Sequence, residues 1–161
     1  MRRLDRVEFA IHTRDGNNEN NHRNVNVSFL CKDKEMKHFP MKTLKVFDWN
    51  EQKLVNDIFK EKVKNALKKN GKFSTISITI SQMLECLMTY ELGLKFSFKG
   101  RKPNVKKAFI TTRLYNVVFN AANELYGAEV TVALVNSSMS SWLIYCKTRL
   151  KRQEWLAFLY Y

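Results

Sequence analysis

The chain has 161 residues and carries 28 Lys and Arg against 15 Asp and Glu, a formal charge of +13. That length gives one domain with a sizeable core rather than two well-packed ones, and that charge suits an anionic partner. Cys31, Cys86 and Cys146 are odd in number and too widely spaced for a local metal knuckle, which argues against a disulfide framework and for a reducing compartment.

The opening "MRRLDRVEFAIHTRD" is broken by charge and has no apolar core of secretory length. No apolar run approaches the length of a membrane span, and no membrane partner is expected. Residues 1–38 read as a flexible polar arm. "VEFAI" and "VNVSFL" have strand character and flank six asparagines between Asn17 and Asn26, a pattern of a loop or a short loose hairpin.

From Phe39 the periodicity is helical. "DWNE", Asp48 to Glu51, has capping-box spacing and predicts a helix start at Asp48, running to about Val55. "DIFKEKVKNALKKNGK" places Ile58, Phe59, Val63, Ala66 and Leu67 on one face and Lys60, Lys64 and Lys68 on an outer one, and stops at Asn70 and Gly71. In "TISQMLECLMTYELGLKF", Thr79 stands as cap, and Ile80, Met83, Leu84, Leu87 and Met88 form the stripe of a central buried helix. The β-branched "FSTISITI" before it also fits a short strand. Thr111 or Thr112 caps "RLYNVVFNAANELYG", with Leu114, Val117, Val118, Ala121 and Leu125 inward and Gly127 as its stop. A last helix spans about 129–152, weakened in the middle by Ser137, Ser138, Ser140 and Ser141. Residues 153–161, with "EWLAFLYY", form an apolar aromatic tail that packs back, pairs with another copy, or exposes an adhesive patch.

Between Glu91 and Glu124 stand seven Lys or Arg and no carboxylate. Their densest part is "KFSFKGRKPNVKKAF", in which Gly100 and Pro103 bracket Arg101 and Lys102 and favour a defined turn. The loop leads into a capped helix whose free N–H groups and positive dipole end favour phosphate. Lys99, Arg101, Lys102, Lys106 and Lys107 therefore stand as candidates for phosphate contacts. Arg113, Asn116 and Asn120, on one face of that helix, are residue types that make bidentate contacts with base edges. Phe96, Phe98 and Phe109 are read as core anchors of the loop, with base stacking as the RNA-binding alternative.

Catalysis has little to work with. His12, His22 and His38 precede the helical core without partners at ligand or catalytic spacing, and there is no glycine-rich phosphate loop or paired-carboxylate motif. Cys86 and Cys146 fall on inner helix faces, where inert thiols are expected. No enzyme, cofactor, metal or small-molecule substrate is expected.

"FPMKT", "ELGLKFSFKGRK" and "KKAFITTRLY", within residues 39–152, resemble an invertebrate domain-of-unknown-function family. The central part is in turn similar to the BEN domain, an all-helical DNA-binding and chromatin-associated module. That resemblance implies a core at Leu84, Leu87, Leu92 and Phe96, a DNA-facing loop at 99–107, and a DNA-facing helix at 111–120. The helix from Glu129 onward and the tail have no clear counterpart in it. The expectation is a mostly α, compact multi-helix bundle, BEN-like over residues 39–152, that binds double-stranded DNA in the nucleus and acts in transcriptional or chromatin regulation. The rival is a protein-interaction module, joining a second copy or a chromatin protein through the last helix and tail.

Overall fold

A computed structural model describes residues 33–101 and 105–159. The expected arm and hairpin over residues 1–32, Cys31, His12 and His22, and Lys102 and Pro103 of the loop lie outside the described residues. What is described is mostly helical, as the periodicity predicts. Its helices are α1 (Leu44–Lys53), α2 (Asp57–Lys69), α3 (Ile76–Leu87), the short α4 (Tyr90–Gly93), α5 (Arg113–Tyr126) and α6 (Val132–Leu159). Two short strands, β1 (Phe96–Ser97) and β2 (Lys107–Ala108), pair in parallel.

Local chemistry sets most boundaries. Thr43, Asn56, Thr75 and Thr112 sit before α1, α2, α3 and α5, each accepting a first-turn N–H with its side chain. Gly71 and Gly127 adopt positive φ just beyond α2 and α5, ending both. Two predicted starts move upstream. The first helix begins at Leu44 rather than Asp48, because Thr43 is the cap. The third begins at Ile76, so "FSTISITI" is largely helix and not strand. Thr79 is one turn inside, buried, with its Oγ1 donating to the Thr75 carbonyl at 3.0 Å and sharing a hydrogen bond with the Tyr126 hydroxyl at 2.6 Å. A β-branched run yields to helix when its inward residues have a core to fill.

Helix α3 is central, packed against α5 and α6; α2 lies on α5, and α4 on α6. Phe59, Val63, Ala66 and Leu67 of α2 are buried as predicted, but Ile58 is 81 % exposed. Ile58 lies about 100° from Phe59 on the side away from Val63 and Leu67, so it falls off the stripe that Phe59, Val63, Ala66 and Leu67 make. Val135, Met139, Trp142, Leu143 and Cys146 carry α6 into the core. The serines do not interrupt α6. Ser138 donates to the Leu134 carbonyl at 2.8 Å and shares a 2.8 Å hydrogen bond with Ser77 of α3, so its hydroxyl is satisfied inside the contact. A Cβ on Gly93 would come within 2.5 Å of Cys146 Sγ, which makes glycine the residue that lets α4 approach α6.

Candidate nucleic-acid interface

The basic segment is a loop closed at its base. Lys107 N–H donates to the Lys95 carbonyl at 3.0 Å, and Ile110 N–H to that of Phe98 at 3.0 Å. Gly100 turns the chain with φ +80°, and a Cβ there would sit 3.3 Å from that of Ala108. Arg101 and Lys106 then pair across the neck in an antiparallel bridge. Phe96 and Phe109 are buried and meet edge to face at 5.9 Å, anchoring both ends of the loop in the core. Phe98 is half-buried against Tyr115, which stacks on Phe119 and donates to Asn136 Oδ1 at 2.8 Å. These three rings support the loop from inside, as the core-anchor reading predicts.

The cations divide by partner. On α2, Lys60 pairs with Asp57 at 2.5 Å, Lys62 with Asp33 and Glu35, and Lys64 with Glu61 and Glu124; Lys68 also reaches Glu124. These contacts raise the pKa of Lys62 and Lys64 and hold the Glu124 carboxyl below its ordinary range. The expected outer basic face of α2 is thus largely neutralised, and Lys64 is nearly covered. On the loop, Lys107 reaches Asp48 of α1 at 2.8 Å. Lys99, Arg101 and Lys106 have no ion pair among the described residues.

The start of α5 differs from expectation. Glu51 projects from α1 and accepts the N–H groups of Arg113 and Leu114 at 2.8 and 2.9 Å. A carboxylate already holds the position a phosphate would take, so this helix end is no anion site. Arg113 is exposed, but its guanidinium turns back to the Glu51 carbonyl at 3.4 Å. Asn116 and Asn120 lie on the exposed face, without a side-chain hydrogen bond among the described residues, while Leu114, Val117, Val118 and Ala121 are buried behind them.

Asp48 and Glu51 are thus the two ends of the predicted capping box, and neither caps its own helix. One turn apart on α1, they face the loop and α5, and neutralise that flank of the basic segment. On its other flank the loop and α6 enclose a cleft of about 450 Å³, lined by Lys99, Arg101, Lys106 and Lys147 and, among the described residues, by no carboxylate. Lys147 was not singled out by sequence. It stands in the basic run "CKTRLKR", but only the packing of α6 turns it toward the loop.

Burial pushes the Cys86 thiol up to about 11 and that of Cys146 up to about 12, so both are protonated and unreactive at neutral pH. Among the described residues no group of His, Cys, Asp and Glu could hold a metal ion, and no helix is long and apolar enough to cross a membrane. No family model, curated protein or solved structure matches the chain.

Proposed function

We propose that this protein is a DNA-binding module that works in the nucleus, in transcriptional or chromatin regulation, and grips double-stranded DNA with its basic loop. The observation that carries the reading is the partition of charge. The lysines of α2 are matched by carboxylates, whereas Lys99, Arg101 and Lys106, on a loop anchored by two buried phenylalanines, have no ion pair among the described residues. Fixed, unpaired cations bind phosphate without first breaking an internal ion pair. Lys107 joins them by exchanging Asp48, an exposed partner of little energetic weight. Asn116 and Asn120 supply the base-reading face.

The test is duplex binding at several salt concentrations. With about four phosphate contacts at about −0.9 each, log affinity should fall against log salt with a slope of roughly −3 to −4. Lys99→Ala, Arg101→Ala and Lys106→Ala together should flatten it by roughly two to three. Asn116→Ala should lose about 1–3 kcal/mol of discrimination at particular base pairs and little affinity for random duplex. An unchanged slope in the triple variant overturns the loop reading, and preference for single-stranded RNA of matched length would move it to RNA.

A second reading, self-association, is favoured by a different observation. The last two turns of α6 stand clear of the domain, with Trp155 64 % and Phe158 81 % exposed. Concentration-dependent sedimentation is its signature.

A further inference from the structure

The cleft between the loop and α6 has features that charge on the loop does not explain. Its size falls within the roughly 300–1,000 Å³ of ligand pockets. Four cations from two elements line it: Lys99, Arg101 and Lys106 from the loop, and Lys147 from a helix about 40 residues further along the chain. None of the four has an ion pair among the described residues, although the same fold pairs the lysines of α2. Like charges brought together repel one another, and an anion between them removes that cost. Ser97 also lines the cleft, and its buried hydroxyl has no hydrogen-bond partner among the described residues. A buried hydroxyl without a partner is costly, and a ligand oxygen would satisfy it. Apart from Ser140, the side chains of the remaining wall are apolar, among them Phe98, Leu143 and Ile144.

From these features we infer that the cleft is a pocket for a phosphate group carried on a nucleotide unit. The cations of the loop and Lys147 neutralise the phosphate, Ser97 donates to one of its oxygens, and the apolar wall covers the sugar or base. The phosphate comes either from a nucleic-acid backbone or from a free nucleotide. The inference rests on the DNA reading only for the first of these sources. It adds a specific claim, that α6 takes part in binding and that the α5 terminus does not.

The experiment is an NMR titration of the full chain with inorganic phosphate, with adenosine monophosphate and with a short duplex, in the wild type, Lys147→Ala and Lys62→Ala. Lys62 lies on α2, outside the cleft, and its loss removes the same net charge. Lys147 is exposed, so its truncation opens no core. Amides near residues 97–101 and 143–147 should shift together with each phosphate-bearing ligand, more strongly for the monophosphate than for inorganic phosphate. Lys147→Ala should weaken binding about tenfold, the effect of losing a charge-assisted hydrogen bond, and Lys62→Ala should not. If the duplex also depends on Lys147, the backbone is the source. If the monophosphate binds there and the duplex does not bind at all, the pocket stands for a free nucleotide and the DNA reading falls. Shifts spread evenly over α2 and the cleft, or equal effects of the two variants, overturn the pocket. Duplex binding that needs Lys99 and Arg101 but not Lys147 overturns it too, and leaves the loop reading in place.

Discussion

Glu51 does two things with one carboxylate. It satisfies two orphan N–H groups at the start of α5, and it blocks the anion site that the same N–H groups would otherwise offer. Thr112 caps the same turn by accepting from Tyr115 at 3.1 Å, so the helix end is served twice. Glu51→Ala should cost about 1–2 kcal/mol of stability, the upper range for loss of a cap, and Glu51→Gln, which keeps one acceptor oxygen, should cost less. Thermal or urea denaturation of the two variants measures both. Equal, negligible losses would mean that Thr112 alone carries the cap. In the sequence, Glu51 stands three residues after Asp48, the spacing of a capping box. The i, i+3 spacing of a box is also the spacing of two residues on one helix face, and only the position of α5 tells which applies.

At the scale of elements, α2 and α5 are held by apolar packing inside and by Glu124 outside, where Lys64 and Lys68 share it. Those lysines hold the Glu124 carboxyl below its ordinary value of 4.5. A carboxylate with a depressed folded pKa contributes stability that is fully present above the unfolded pKa and is lost as pH falls through the folded one. Glu124→Gln should therefore lower stability at neutral pH by less than about 1 kcal/mol, because the pairs are partly exposed. Its curve should converge with that of the wild type in acid below the ordinary carboxylate range. Stability followed from neutral to acid pH checks the sign: a difference that grows in acid would show that another group is responsible. The sequence shows Lys60, Lys64 and Lys68 as an outer basic face, since the period of the helix is legible. The carboxylate that neutralises two of them is 56 residues from Lys68 and has no local signal.

At the scale of the whole molecule, α6 is the element that most alters the picture. Its predicted end at 152 and separate tail become one helix to Leu159, whose residues from Lys151 onward are all exposed. Trp155 and Phe158 therefore do not pack back on the domain. Removing the residues after Gln153 should change monomer stability by no more than about 0.5 kcal/mol, as for surface changes away from special features. If the second reading holds, the same truncation abolishes concentration-dependent sedimentation. A large fall in melting temperature of a chain that sediments as a monomer at every concentration would contradict the exposure of this segment.

The sequence by itself determined the helical class, the inward stripes of α2 (Ile58 excepted), α3 and α5, the glycine stops at Gly71 and Gly127, and the aromatic anchoring of the basic loop. Each of these follows from local chemistry: a period of 3.6, a residue tolerant of positive φ, or a large apolar side chain flanked by charge. Tertiary structure decided that Thr43 rather than Asp48 caps α1, and that Thr75 rather than Thr79 caps α3, where packing buries Thr79 and leaves Thr75 at the surface. It also decided which cations stay unpaired. Asp48, Glu51 and Glu124 reach Lys107, the α5 terminus, and Lys64 and Lys68 only because α1, α2, the loop and α5 are folded against one another. Lys147 meets the loop for the same reason. Charge is written along the chain, but Coulomb attraction depends on distance in space, and that distance is set by the core.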